Sequence, residues 1–236
     1  STLEGCLRED LEAQAARAMA VLDPVPLVLT NWDELMGAGT LDLCVAPVHP
    51  HHPERGQRQF VMGSRLWIER TDYEDTPPKG FFRLFPGNKV RLRYGFVIEC
   101  TRYDAATDTV HCTYDADTKS GTPGSDKVKV KGNIHWVSAQ HSYAAEVRLY
   151  DRLFLSDDPG GDGSDPLDNL NPASLERLTT AKLEPSLAAA KAGTRFQFER
   201  QGYFCVDPDS TAASPVFNRT VTLKDSWARM QSRGAV

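Results

Sequence analysis

Arginine and aromatic side chains lie close together in two segments of the chain. Residues 81–94 carry three arginines and four aromatic residues, and residues 195–200 carry two arginines around two phenylalanines and Gln197. A guanidinium group can donate two hydrogen bonds to the edge of a base, and an aromatic ring can stack on its face. The pattern therefore indicates binding of single-stranded RNA, although cross-strand charge pairing on an exposed sheet would give the same spacing.

The motifs that commonly mark an enzyme do not occur in the sequence, which has no GxxxxGK[ST], GxGxxG, HExxH or GxSxG string. His49, His51 and His52 lie in a proline-rich loop that gives them no fixed ligand geometry, so we expect no metal site. Asp115 and Asp117 could form an acid–base pair, but turn residues at the end of a strand have the same pattern. The sequence predicts no catalytic site.

The formal charge of −5, from 27 basic and 32 acidic residues, argues against a nucleic-acid partner when it is taken as an average. The charges are unevenly distributed, however. Residues 51–100 carry 9 basic and 6 acidic side chains, and residues 191–236 carry 7 and 4. A sheet topology could bring these two basic stretches together, but charge alone does not distinguish such a patch from an ordinary solvated surface.

The chain shows no sign of export or of membrane insertion. It lacks an apolar run of about 18 residues and the basic-then-apolar pattern of a signal peptide. Its five cysteines include no CxxC pair, which is typical of free thiols in a reducing compartment. We therefore expect a cytoplasmic protein with no membrane partner. Because the sequence begins at Ser1 and residues 3–17 already have a helical pattern, we expect it to be part of a longer chain.

The 17 glycines and 15 prolines favour many short strands over long helices. We predict a mainly β fold with a helical N-terminal edge. Polar residues indicate a long excursion at Asp115–Lys131 and a domain boundary at Ser156–Asp168. Asn171, as an N-cap before a proline, predicts a helical turn over residues 172–178. A Gln-Gly pair between two aromatic-rich runs predicts a hairpin within residues 194–206.

Seven strings of residues occur in the same order as in one known family. From about residue 3 to residue 229, the chain resembles the C-terminal half of the bacterial glutaminyl-tRNA synthetases, which are class I enzymes. Seven collinear matches are far more specific than any single motif. The strings are RAMAVLDPV (17–25), KVRLR (89–93), YDADT (114–118), KGNIHWVS (131–138), VRLYDRLF (147–154), FQFERQGYFC (196–205) and PVFNRTV (215–221).

The resemblance implies two β-barrels, proximal and distal, of the kind found in L25-type ribosomal proteins, with a short helical N-terminal segment. We assign residues 1–21 to a helical segment that leads from a missing catalytic part. Residues 22–155 then form the first barrel region, and residues 156–214 form the second. We expect residues 215–236 to be a C-terminal strand and tail that return to the first barrel.

The resemblance also implies which side chains contact the anticodon loop of tRNA(Gln). Arg17 and Gln197 match the pair that reads the middle base, a uridine, although they lie 180 residues apart. Arg83 matches the residue that contacts the third base, a guanine, and Arg91 matches the residue that contacts the first base. Arg200 belongs to the same expected anticodon-binding set. These roles suit the chemistry, because arginine donates to base edges and glutamine both donates and accepts.

Two further members of the expected anticodon-binding set depart from the family pattern. Phe82 stands where the family has a lysine beside the third-base arginine, so that stacking would replace a phosphate contact. His51 stands where the family has an asparagine in the part that meets the anticodon loop.

The family's catalytic part carries HIGH-like and KMSKS-like motifs, and neither occurs in this sequence. We therefore expect a fragment that binds tRNA without a cofactor, while ATP and Mg²⁺ act in the missing domain of a monomeric, ATP-dependent glutamine–tRNA ligase. The alternative is a free-standing L25-type barrel that binds RNA or protein. A glutamyl-type or nondiscriminating synthetase fits less well, because Arg17, Arg83 and Gln197 suit the glutamine anticodon.

Overall fold

The computed structural model describes residues 2–223, which form one N-terminal helix followed mainly by β-strands. No helix in this range is long and apolar enough to cross a membrane. The helices are α1 (Thr2–Gln14) and α2 (Trp32–Met36), with short 3-10 helices at Pro53–Arg55, Arg70–Asp72, Ala116–Thr118, Pro166–Asn169 and Pro185–Leu187. The strands are β1 (Ala16–Ala18), β2 (Ala20–Val21), β3 (Pro24–Leu29), β4 (Asp42–Pro47), β5 (Gln57–Met62), β6 (Arg65–Glu69), β7 (Lys89–Leu92), β8 (Val97–Asp104), β9 (Thr109–Asp115), β10 (Gly132–Ile134), β11 (Trp136–Ser138), β12 (Tyr143–Tyr150), β13 (Leu175–Leu183), β14 (Arg195–Phe198), β15 (Gly202–Val206) and β16 (Val216–Thr222).

The strands form two nearly closed seven-stranded barrels, which confirms the expected fold class. Barrel I has the strand order β10-β7-β8-β9-β3-β6-β11, and barrel II has the order β1-β14-β15-β16-β12-β13-β2. The β4–β5 hairpin is a separate two-stranded sheet. Because apolar residues alternate along this hairpin, one of its faces, with Cys44, Phe60 and Met62, packs into the core of barrel I.

In each barrel the two edge strands follow each other directly in the chain. Only His135 separates the edge strands β10 and β11 of barrel I, and only Met19 separates the edge strands β1 and β2 of barrel II. After β2 the chain enters barrel I through residues 22–23, and after β11 it returns to barrel II through residues 139–142. Barrel I is therefore inserted in the chain between two strands of barrel II.

Each barrel has its own aromatic core. In barrel I, Trp32 lies against Tyr114 with their ring centroids 4.9 Å apart. In barrel II, Phe198 stacks on Phe204 at 4.2 Å and lies 5.4 Å from Phe217 at a tilt. The three phenylalanines come from β14, β15 and β16, so their packing holds these neighbouring strands together.

Strand pairing corrects the expected domain boundaries at the N-terminus and in the middle of the chain. Residues 1–21 are not helical throughout, because β1 and β2 are strands of barrel II. β12 lies in the expected first region, residues 22–155, yet it pairs with β13 and β16 and so belongs to barrel II. An alternating strand pattern shows that one face is buried, but not in which of two barrels.

The C-terminal strand also differs from expectation. β16 pairs with β12 and β15, and its Phe217 lies in the core of barrel II. The expected return of residues 215–236 to the first barrel is therefore wrong for β16. The remainder of that tail, residues 224–236, lies outside the described residues.

Two local expectations in barrel II had different outcomes. The hairpin within residues 194–206 is confirmed as β14 and β15, which pair antiparallel. The expected helical turn over residues 172–178 is wrong, because β13 begins at Leu175. Asn171 does accept a hydrogen bond from the backbone N–H of Ala173 at 3.0 Å, but the chain then extends into the sheet.

Candidate RNA-binding surface

The structure brings Arg17 and Gln197 together on two neighbouring strands. β1 runs parallel to β14, and Arg17 is the direct partner of Gln197 in that register. α1 precedes β1 and packs on barrel II through Leu11, and Ala15, which lies between α1 and β1, packs in the same cluster. The end of the helix therefore lies beside the side chains of Arg17 and Gln197, which are 180 residues apart in the sequence.

The carboxylate of Glu12, in the last turn of α1, holds these two side chains. Its Oε1 accepts a hydrogen bond from Arg17 Nη2 at 2.6 Å, and its Oε2 accepts one from Gln197 Nε2 at 3.0 Å. The hydroxyl of Tyr203 donates to Glu12 and accepts from Gln197 Nε2 at 2.8 Å. Arg17 Nη1 also donates to the carbonyl oxygen of Ala15, which fixes the buried guanidinium.

These contacts fix the orientation of the Gln197 amide and the charge of its neighbours. Both N–H bonds of the amide nitrogen have acceptors, so the amide oxygen is the group that can accept a hydrogen bond from a base. Although burial opposes it, Tyr203 and Arg17 hold the pKa of Glu12 below its usual value. Burial, together with the hydrogen bond to Glu12, raises the pKa of Tyr203 to about 12, so the phenol remains a donor.

A cleft of about 160 Å³ is lined by Glu12, Arg17 and further residues of both barrels. Barrel II contributes Gln197 and Glu199, and barrel I contributes Arg93 and Tyr94. His51 lines a wider neighbouring cavity of about 580 Å³, which also includes Glu12. Polar groups from three parts of the chain thus surround a space that is open to a ligand.

Arg83 and Arg200 meet at a second place, on the carboxylate of Asp72. Arg200 donates to both oxygens of Asp72, each at 2.7 Å, and Arg83 Nε lies 3.3 Å from Oδ1. Arg200 Nη1 also lies 3.0 Å from Nδ1 of His135, the residue between the edge strands β10 and β11 of barrel I. Asp72 is completely buried, while 42% of the Arg83 side chain and 22% of the Arg200 side chain are exposed. Arg83 therefore presents the more accessible guanidinium group.

Two family models match the chain, and both describe the anticodon-binding domain of class I tRNA synthetases for glutamate and glutamine. One matches residues 15–115 and the other residues 133–207, so together they span most of the chain. The chain belongs to this anticodon-binding domain family. The first match contains Arg17, and the second contains Gln197.

Curated relatives of this anticodon-binding domain are glutamine–tRNA ligases. That of Cupriavidus metallidurans is 58% identical over 97% of this chain and 39% of its own length. That of Ralstonia pickettii is 59% identical over 97% of this chain and 40% of its own length. That of Nitrosomonas europaea is 48% identical over 96% of this chain and 41% of its own length. The chain thus spans about two fifths of the relatives it matches.

Arg91 occupies a third place in the anticodon-binding domain, away from the contacts on Glu12 and Asp72. Its guanidinium donates to the carbonyl oxygens of Thr118 and Ser125, at 2.7 Å and 2.5 Å. These hydrogen bonds hold the excursion at Asp115–Lys131 against β7. The structure therefore does not bring Arg91 into either arginine cluster.

Phe82 is half exposed in the anticodon-binding domain, and its ring faces a lysine. The Nζ atom of Lys131 lies 4.8 Å from the centroid of the ring. Phe82 itself stands where the family pattern has a lysine, and Lys131 supplies a positive charge beside it. Among residues 2–223, no group of histidine, cysteine, aspartate and glutamate side chains is arranged to hold a metal ion.

The residues that accept hydrogen bonds from Arg17, Gln197 and Arg200 were not identified from the sequence. Tyr203 could have been found, because it is the cross-strand partner of Gln197 in a hairpin whose turn is visible in the sequence. Glu12 gave no such signal, since acidic residues are common on the exposed face of a helix. Asp72 gave none either, because it is 128 residues from Arg200 in the sequence.

Proposed function

We propose that the chain recognises the anticodon loop of tRNA(Gln) as the C-terminal part of a glutamine–tRNA ligase. The names of the relatives support this proposal, and so does the share of their length that the chain spans. Attachment of glutamine, with ATP and Mg²⁺, then belongs to the rest of the protein. We further propose that the whole protein acts as a monomer in the cytoplasm.

The observation that carries the proposal is the pairing of Arg17 with Gln197 on one carboxylate. The amide oxygen of Gln197 can accept the N3–H of a uridine, and the guanidinium of Arg17 can donate to a uracil carbonyl. A cytidine would instead place its unprotonated N3 opposite the amide oxygen, so that one acceptor faces another. This chemistry supports uridine as the middle base of the anticodon.

The remaining side chains are proposed to contact the rest of the anticodon loop. The partly exposed guanidinium of Arg83 can donate to O6 and N7 of a guanine at the third position. Arg91 contacts the first base, and Arg200 contributes from the turn between β14 and β15. Phe82 stacks on the RNA, and His51 contacts the loop from the neighbouring cavity.

Titration of the 236-residue chain against RNA stem-loops tests the proposed function. One stem-loop carries the glutamine anticodon, and three others each change one anticodon base. All four are measured at one salt concentration, because phosphate contacts depend strongly on salt. We expect the matched stem-loop to bind about 10-fold more tightly than those changed at the middle or third base, since a lost base contact costs about 1–3 kcal/mol. Equal binding of all four would contradict anticodon recognition.

Replacing Gln197 by alanine is expected to abolish the preference for uridine over cytidine at the middle base. The preference in the unchanged chain should be about 5–150-fold, the range expected when a buried acceptor is left unsatisfied. The same titrations, with cytidine at the middle position, measure it. Gln59→Ala is the control, because Gln59 is an exposed glutamine on β5. If Gln197→Ala keeps the preference, another side chain reads the middle base.

A further inference from the structure

A cluster of buried charges joins the two barrels beside the cleft. Arg58 of β5 donates through Nε to Glu184 Oε1 at 2.8 Å, and through Nη2 to Glu199 Oε1. The three side chains are only 2–4% exposed. Glu184 follows β13 and Glu199 follows β14, so both carboxylates come from barrel II, whereas Arg58 comes from the hairpin that covers barrel I.

Glu199 has two more partners in barrel I, and both line the cleft. The hydroxyl of Tyr94 lies 2.9 Å and 3.0 Å from the two carboxylate oxygens, and Arg93 Nη1 donates to Oε2. The guanidinium of Arg58 also lies over the ring of Tyr94, with Cζ 5.4 Å from the centroid. One carboxylate of barrel II therefore binds Arg93 and Tyr94 of barrel I and Arg58 of the β4–β5 hairpin that packs on barrel I.

Glu199 is also connected to the strands that carry the candidate base-reading residues. It lies two positions after Gln197, just beyond the end of β14. Its backbone N–H donates to the carbonyl oxygen of Ala18, the neighbour of Arg17 on β1, at 2.9 Å. A displacement of Glu199 would therefore move both strands relative to the wall formed by Arg93 and Tyr94.

Stability alone does not account for these buried charges. The desolvation of buried ions offsets much of their attraction, and apolar residues of the same volume often stabilise a protein as well or better. A hydrogen-bonded guanidinium and carboxylate differ from apolar residues because their geometry is directional, and they permit one placement of the surfaces they join. Such a fixed placement has a use at a junction where two barrels line one cleft.

We propose that Glu199 is a positioning residue of the middle-base site, which fixes barrel I against barrel II so that Arg93 and Tyr94 face Arg17 and Gln197. This inference rests on the proposed function and adds to it a residue that acts through its neighbours. Hydrogen bonds weaken steeply as their distance and angle depart from the optimum. A small shift of the wall therefore changes the fit of a uridine while Arg17 and Gln197 are both still present.

The test is Glu199→Gln in the 236-residue chain, titrated against three stem-loops. These carry the glutamine anticodon, the same anticodon with cytidine in the middle, and the same anticodon with adenosine at the third position. Glutamine keeps the volume, but it places an amide nitrogen where Arg58, Arg93 and Tyr94 now donate to a carboxylate oxygen. We expect the preference for uridine over cytidine to fall about 10-fold, as for the loss of a charged hydrogen bond. The preference at the third base should stay within about twofold, because Arg83 does not contact this cluster.

Two further variants make the result specific. Asp207→Asn is the matched control, because Asp207 is a buried carboxylate whose partners Arg148 and Asn218 lie within barrel II. It should leave both preferences within about twofold. Tyr94→Phe removes only the hydroxyl that donates to Glu199, and should lower the middle-base preference about threefold. Tyr94→Phe keeps the test decisive if Glu199→Gln does not fold.

The outcomes separate the positioning role from a purely structural one. Loss of preference confined to the middle base, in Glu199→Gln or in Tyr94→Phe, supports the inference. An equal loss of affinity for all three stem-loops, with both preferences intact, would overturn it. If the unchanged chain itself shows no middle-base preference, the proposed function fails, and the positioning role fails with it.

Discussion

Replacing Arg58 by methionine is expected to lower the free energy of unfolding by about 3–5 kcal/mol, the usual cost of removing one partner of a buried ion pair. Methionine fills much of the same volume, but Glu184 and Glu199 would remain buried without the guanidinium that joins them. The chain would then carry uncompensated charge at the junction of the two barrels. Urea unfolding followed by circular dichroism measures the loss.

Arg58→Met should lower the free energy of unfolding more at pH 7 than at pH 5. Burial raises the pKa of Glu184 above its usual value, and Arg58 opposes that rise. Without Arg58 the pKa of Glu184 rises further, so the folded chain binds a proton more readily than the unfolded chain as the pH falls. Protonation removes the unpaired charge and returns part of the lost stability.

An exposed arginine provides the control for this prediction. Arg70 pairs with Asp108 at 2.7 Å, but the two side chains are 49% and 43% exposed. Arg70→Met should therefore cost no more than about 1 kcal/mol. If Arg58→Met costs as little as Arg70→Met, the charges on Glu184 and Glu199 are not held in a dry environment, and the account of the junction is wrong.

Replacing Phe198 by alanine is expected to cost about 3–5 kcal/mol, because it leaves a cavity in the middle of an aromatic core. Phe198 is completely buried and contacts both Phe204 and Phe217. Its removal should loosen β14, β15 and β16 together. Since Gln197 is the preceding residue on β14, the same change should weaken the preference at the middle base.

Hydrogen exchange resolved by mass spectrometry shows which strands are loosened in Phe198→Ala. Peptides from residues 195–206 and 216–222 should exchange faster in Phe198→Ala, while peptides from residues 97–115 of barrel I should change much less. Phe82→Ala is the control, since Phe82 is half exposed and its removal should change stability by only about 0.5 kcal/mol. Equal acceleration in both barrels would show that they unfold as one unit and would contradict separate cores.

Local signals predicted several elements because short stretches of sequence determine them. The hairpin of β14 and β15 follows from alternating residues around Gln201 and Gly202, which form part of a tight connection. Asn171 shows the limit of such signals. Its side chain accepts a hydrogen bond from the backbone N–H of Ala173, as an N-cap would. The pairing of β13 with β12 then stabilises a strand where a helical turn was predicted.

Long-range pairing was not readable from local patterns. β1 and β14 have no sequence feature that marks them as partners, and only the family resemblance suggested that Arg17 and Gln197 meet. The buried charges between the two barrels were still harder to predict. Arg58, Glu184 and Glu199 lie in parts of the chain where charged residues are ordinarily solvated, so their burial between two barrels becomes visible only in three dimensions.

The insertion of barrel I between two strands of barrel II has a consequence for synthesis on the ribosome. β1 and its partner β14 lie 180 residues apart, so at about 5–20 residues per second they emerge on the order of 10–40 s apart. All strands of barrel I lie between residues 24 and 138 and can pair within that interval. A nascent chain that has emerged beyond residue 138 but stops before residue 195 therefore holds a completed barrel I, while α1 and β1 still await the strand that carries Gln197.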